Sequence, residues 1–126
     1  MPHLILEYSG NLTAFDAPEA LRALNHVVAA TGIVGDLLEL KARAMRLDDF
    51  YVGTEAEQDG KQGFVHLTLL LLEGRTDSVK RELTQQLLSC LEQCPYPPNL
   101  RLQLSIELRD MAPSYFGKIT RAAQTP

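Results

Sequence analysis

Two stretches of this sequence repeat one another, and the repeat constrains the fold more than any single motif does. PHLILEYSGN begins at residue 2 and VHLTLLLLEGR at residue 65; each puts His-Leu at the head of an aliphatic run and a glycine after it. His3 and His66 stand 63 residues apart in a chain of 126. Self-similarity on this scale marks a supersecondary unit used twice. The chain therefore reads as one domain, residues 1–126, built of two halves at about 1–62 and 63–126.

Each half carries the same order of elements. In the first, His3 to Tyr8 is rich in aliphatics and reads as a strand, broken by Ser9-Gly10-Asn11. Asp16 is placed to cap a helix, with Pro18 in its first turn. Ala17, Ala20, Leu21, Leu24, Val27, Val28 and Thr31 follow helical spacing, and Gly32 is the stop. Leu37 to Leu47 sets Leu38, Leu40, Ala42 and Ala44 against Glu39, Lys41, Arg43 and Met45, which predicts a half-buried strand. Asp48 to Lys61 is polar and reads as a loop or small hairpin.

In the second half, Gly63 to Glu73 reads as a strand buried on both faces. Thr76 or Asp77 can cap a helix with apolar positions Val79, Leu83, Leu87, Leu88, Leu91 and Cys94, and Pro95-Tyr96-Pro97-Pro98 stops it. Leu100 to Leu108 alternates as a fourth strand, and Ser114 to Arg121 reads as a short terminal helix.

Strands separated by a helix pair in parallel through a crossover. Two tandem β-α-β units then make an α+β fold: a four-stranded sheet with both helices on one face. The opposite face is left bare. Its aliphatics need cover, so a closed homo-oligomer is expected.

Charge narrows the partners. The formal net charge of −4 argues against nucleic acid and membrane surfaces, which select basic excess. The longest apolar run, Leu67 to Leu72, is too short to span a bilayer. No basic stretch with a signal-like apolar run opens the chain, so a cytoplasmic protein is expected. Cys90 and Cys94 lie four apart on the second helix and read as buried, reduced core thiols rather than as part of a zinc site.

The duplication also isolates one residue. Pro2 precedes the first repeat and its counterpart is Val65, an internal residue with an acylated nitrogen. Only the first half can offer a free amine, and only once Met1 is clipped. Two readings are open: a tolerated terminal residue, or a secondary amine held at a strand end. A free α-amine titrates near about 7.7–8, and burial or nearby cations lower that value. On the second reading the amine is a base neutral at physiological pH.

Cations are at hand. Lys41 and Arg43 are two apart on a strand and share a face. Arg75 follows the second-half strand just before a helix N-terminus, a place suited to an anion. For each, a solvated surface charge is the plainer alternative.

These residues together resemble a known family. MPHLILEYSGN, NHVVAATGI ahead of LELKAR, and FVHLTLLLLEGRT ahead of a helix arrive in the order and spacing of 5-carboxymethyl-2-hydroxymuconate isomerases, members of the tautomerase superfamily. The resemblance covers most of the chain. It implies a homotrimer of two-unit chains that works without a metal or organic cofactor. It implies that Pro2, exposed by Met removal, is general base and then general acid in the isomerisation of a small tricarboxylate from aromatic-compound catabolism. It makes Arg43 and Arg75 carboxylate-binding residues. Lys41 stands where the family has arginine; lysine keeps the charge and loses the planar fork. Phe116, in PSYFGK, resembles an aromatic near the family's C-terminus that covers a site, with core packing as its other reading. His3 and His66 read as strand residues with satisfied hydrogen bonds.

Three functions are consistent with this sequence. The first is an isomerase that moves a proton in an unsaturated 2-hydroxy polycarboxylate. The second is a related activity on a smaller 2-hydroxydienoate or arylpyruvate, or a dehalogenase-like hydration. The third is a non-catalytic oligomer that binds a small acid.

Overall fold

A computed structural model describes residues 1–124. Six elements form the frame: β1 (His3–Ser9), α1 (Ala17–Ala30), β2 (Lys41–Leu47), β3 (Gln62–Leu72), α2 (Asp77–Glu92) and β4 (Arg101–Met111). The sheet order is β2-β1-β3-β4. The pairs β1–β2 and β3–β4 are parallel, and β1 and β3 meet antiparallel at the centre. Each half thus contributes one parallel pair, as the repeat requires.

The helices start and stop where their ends can be satisfied. The Asp16 carboxylate accepts the Glu19 N–H at 3.1 Å, covering one of the free amides at the head of α1. α1 ends at Thr31, and Gly32 follows at φ +75°, a conformation costly for other residues. Thr76, not Asp77, caps α2: its hydroxyl accepts the Val79 N–H at 3.3 Å, while Asp77 sits in the first turn.

The core lies between the helices and one sheet face. Across the sheet, Ala42, Leu4, Leu69 and Leu108 form one row, and Ala44, Leu6, Leu67 and Ile106 the next. Leu4, Leu6, Leu67 and Leu69 are fully buried. Ala20, Leu24 and Val28 of α1 and Leu83, Leu87 and Leu91 of α2 close over them in one cluster. These helix triplets repeat at the same 63-residue offset as the two histidines. Each fully buried leucine contributes about 1.5–3 kcal/mol, so the repeated positions hold the two halves together.

Several expectations need correction. The strand expected over Leu37 to Leu47 begins only at Lys41. Leu37–Glu39 is a turn of 3₁₀ helix whose cap, Asp36, accepts the Leu38 N–H at 3.0 Å, and Leu38 is 88% exposed. Asp48 to Lys61 is a loop with one short turn at Glu55–Glu57. β3 buries one face completely and, on the other, only Thr68; Phe64, His66 and Leu70 are half-buried.

The uncovered sheet face is also less apolar than expected. Its rows read Met45-Glu7-His66-Ser105, Arg43-Ile5-Thr68-Glu107 and Lys41-His3-Leu70-Arg109. At its centre Ile5 and Leu70 lie among Glu7, His3, His66 and Thr68, and Lys41, Arg43, Glu107 and Arg109 stand at the edges. The terminal helix expected over Ser114 to Arg121 is absent; only Pro113–Tyr115 makes a turn. Gly117 and the β-branched Ile119 and Thr120 disfavour a helix too short to stand without packing. Cys90 and Cys94 are free and half-buried rather than fully buried, and burial pushes both thiols up from their ordinary value.

Candidate active site

The central strands bring the chain's start to a crowded corner. His3 pairs with Lys41 on β2 and with Leu70 on β3. One residue earlier, the carbonyl of the buried Pro2 accepts the Lys41 N–H at 3.2 Å. The end of β3 and Arg75 beyond it therefore lie beside the start of β1. This is a direct outcome of the antiparallel β1–β3 register.

Met1 occupies the position before Pro2, so its ammonium samples the field there. Burial pushes this amine below its ordinary value; Glu39 opposes the shift, and Arg75, Lys41 and Lys118 add to it. Three cations and one carboxylate thus surround the N-terminus. A cavity of about 330 Å³ opens beside it, lined by Met1, His3, Lys41, Phe116, Gly117, Lys118 and Ile119.

Each cation is held differently. The Lys41 ammonium donates to the Glu39 carbonyl at 3.0 Å. Arg75 donates to the carbonyls of Leu72 (2.9 Å) and Ile33 (3.2 Å), which fixes its guanidinium and leaves other N–H groups free. Arg43 is exposed and donates to His3 Nδ1 at 3.2 Å. An arginine cannot accept, so Nδ1 is the acceptor and the imidazole is neutral. The lowered pKa of His3 agrees: burial disfavours its charged form, and Lys41, Arg43 and the N-terminus add to this. His66 is likewise satisfied, with Nδ1 at 2.7 Å from the Ser105 hydroxyl.

Of the residues singled out from sequence, Pro2, Lys41, Arg75 and Phe116 meet at this corner. Arg43 stands one row away, turned to His3. Two residues were missed, Glu39 and Lys118, which pair with each other. Glu39 was read as an outward strand residue because the alternation runs unbroken through the 3₁₀ turn. Lys118 had no signal beyond the PSYFGK stretch itself. A larger cavity, about 390 Å³, lies between α1 and α2 with Glu82 as its only charged lining residue. It has no cation in its lining to hold an anion. Among the described residues no group of three or more His, Cys, Asp or Glu side chains is placed to hold a metal ion, and no helix is long and apolar enough to cross a membrane.

Comparison with known proteins places this geometry. Residues 2–124 match the model of a family described as 5-carboxymethyl-2-hydroxymuconate isomerase. A solved 5-carboxymethyl-2-hydroxymuconate isomerase from Deinococcus radiodurans R1 is 30% identical, with a TM-score of 0.80 over 95% of this chain and 90% of that one. A 5-carboxymethyl-2-hydroxymuconate delta-isomerase structure is 21% identical, with a TM-score of 0.74 over 99% and 96% of the two chains. A fused 4-OT symmetric trimer shares the fold at 21% identity and a TM-score of 0.65, over 92% and 90%. No match was found among curated proteins. With its duplicated β-α-β frame and a family match over nearly its whole length, the chain belongs to the 5-carboxymethyl-2-hydroxymuconate isomerase family, a family of isomerases on the tautomerase fold.

Proposed function

We propose that the chain, once Met1 is removed, isomerises an unsaturated 2-hydroxy polycarboxylate, 5-carboxymethyl-2-hydroxymuconate, with the Pro2 amine as base and acid. The observation that carries this reading is the cation-rich, partly buried setting of the N-terminus. Burial lowers the amine there, Glu39 opposes it, and Arg75, Lys41 and Lys118 add to the lowering. Removing Met1 moves the free amine one residue inward, to buried Pro2. The same burial and cations favour the neutral amine, which is the form a base requires.

The steps conserve atoms. Neutral Pro2 takes the proton of the substrate's 2-hydroxyl. The oxygen's electrons form the carbonyl, the double bonds shift along the conjugated chain, and a carbon at its far end takes the proton back from the prolinium. Arg75 and Lys41 hold carboxylates and steady the charge that develops on the oxygen. Arg43 would bind a carboxylate on swinging from His3. Phe116 supplies an apolar wall. No cofactor is called for by these steps. The reaction suits catabolism of aromatic compounds.

We infer further that the chain works as a homotrimer. Half-buried Phe64, Leu70 and Ile5 at the centre of the uncovered sheet face support burial against copies of itself. Light scattering in solution reads the mass directly; a monomer at micromolar concentration would contradict this.

Lys41 favours one second reading, a tautomerase for a smaller 2-hydroxydienoate or arylpyruvate. Lysine binds a carboxylate as a point charge, without the two parallel bonds an arginine makes. The test is ultraviolet-monitored turnover of both substrate classes by wild type and Pro2→Ala, with intact mass confirming Met1 removal. Turnover of 5-carboxymethyl-2-hydroxymuconate that collapses in Pro2→Ala supports the first reading. Turnover of the smaller acids alone, abolished in the same variant, supports the second.

A further inference from the structure

The segment that walls the cavity is tied to the rest of the chain by one hydrogen bond. After β4, the turn at Pro113–Tyr115 is closed only by local bonds, Tyr115 N–H to Ala112 and Phe116 N–H to Pro113. Among the described residues, the hydrogen bond from the Lys118 ammonium to Glu39 Oε1 is the only one joining residues 112–124 to the rest of the chain. Half-buried Phe116 is the segment's one packed apolar side chain, for Tyr115 is 92% and Ile119 90% exposed. Yet Phe116, Gly117, Lys118 and Ile119 line the cavity beside Met1, His3 and Lys41. The Glu39 Oε2 is buried and has no hydrogen-bond partner among the described residues.

A carboxylate is out of place in a site for anions. Alone it would repel the substrate. Paired with Lys118 it is neutralised, and the pair fixes an otherwise loose wall. We propose that the Glu39–Lys118 ion pair is a clasp that holds Phe116–Ile119 across the N-terminus, and that Glu39 is thereby a positioning residue of the proline-based reaction; its catalytic part rests on the function proposed above. The rival arrangement is that Lys118 simply binds substrate while Glu39 competes for it. The two differ in sign. If Glu39 competes, removing its charge tightens substrate binding. If Glu39 is half of a clasp, removing it loosens the wall and weakens binding.

The amine gives a second handle. The charged and titratable groups near it are Glu39 before β2, Lys41 on β2, Arg75 after β3, Lys118 on the C-terminal segment and His3 on its own strand. Glu39 alone favours the ammonium. Its removal should therefore move the acid limb of kcat/KM to lower pH, and removal of Lys118 should move it to higher pH.

The experiment compares Glu39→Gln, Lys118→Met and the swapped pair Glu39→Lys with Lys118→Glu in the full chain. Backbone 15N order in residues 116–119, read by the heteronuclear NOE, and the pH profile of kcat/KM are taken together. Both single variants should lower the NOE across the segment and raise KM by about fivefold, more than they lower kcat. Their acid limbs should move in opposite directions, and the swapped pair should restore the wild-type NOE and the original KM. An NOE at 116–119 that is unchanged in Glu39→Gln, or already as low in wild type as in a free chain end, overturns the clasp. So does a lower KM in Glu39→Gln. Because the NOE needs no substrate, a wild type that turns nothing over counts against the proposed reaction while the clasp is still judged on the NOE.

Discussion

The two halves of this chain are alike in what they bury and unlike in what they expose. Their helices pack the same triplet of positions, Ala20, Leu24 and Val28 against Leu83, Leu87 and Leu91, onto one sheet. Around the first strand of each half the likeness ends. In the first half, Pro2 precedes β1, and Lys41 and Arg43 lie alongside on β2. In the second half the matching stretch is interior to β3: Val65 is fully buried, and Ser105 and Glu107 stand where β4 runs past. Duplication preserved the core because every apolar position is needed twice. The chemistry proposed for Pro2 needs a free amine, and only one half can supply it.

The largest effect expected is on stability, and it should be the same in both halves. Leu24→Ala and Leu87→Ala each empty a fully buried site and should cost about 2–5 kcal/mol, read as a fall in the midpoint of denaturant unfolding. A variant that unfolds only its own half would break the symmetry of the core.

The next effect belongs to one half only. Arg75→Ala should lower kcat/KM for a carboxylate substrate by about 1.5–3 kcal/mol, the scale of a lost charge-assisted contact. It should also lower Tm modestly, since two carbonyls lose their donor. Unchanged kinetics would make Arg75 a loop anchor alone.

The third sharpens the electrostatics. The N-terminal amine lies below its ordinary value through burial, reinforced by Arg75, Lys41 and Lys118. As a base it works when unprotonated, so activity should be full above its pKa and fall away as pH drops through it. The acid limb of kcat/KM should thus lie below about 8, the ordinary α-amine range. A limb at or above that value would contradict the placement of the cations. The same shift carries a stability cost: protonation is harder in the folded state, so the amine disfavours folding at low pH and stops doing so above its unfolded value.

The smallest effect tests the silent half. Ser105→Ala removes the partner of His66. It should cost about 0.5–1.5 kcal/mol of stability and leave kcat/KM within about twofold of wild type. A large kinetic loss would mean that the second half carries chemistry after all.

Much of this frame is legible in the sequence, and the departures have physical causes. The strand cores, the Asp16 cap and the parallel pairing within each half follow from apolar spacing and turn residues, whereas Thr76 and Asp77 are equally placed in sequence to cap α2. The start of β2 was misplaced because the 3₁₀ turn at Leu37–Glu39 carries on the strand's alternation, while its cap, Asp36, acts over only two residues. The terminal helix was over-read from a stretch that Gly117 and Ile119 keep extended. Pro2 stands out because a duplicated pattern shows where its copies differ; Lys41 and Arg75 are marked by their places on a strand and before a helix N-terminus, and Phe116 by resemblance alone. Glu39 and Lys118 were missed because an ion pair between residues 79 apart in sequence leaves no local mark.

The central claim is that a free amine at Pro2 does the work, and one comparison isolates it. Protein with Met1 removed and protein with Met1 retained differ in whether the Pro2 nitrogen is a basic amine or an amide, and otherwise share every residue. The account predicts that turnover of 5-carboxymethyl-2-hydroxymuconate tracks the fraction of free Pro2 measured by intact mass and vanishes in the retained form. Equal turnover by the Met1-retaining chain would contradict it.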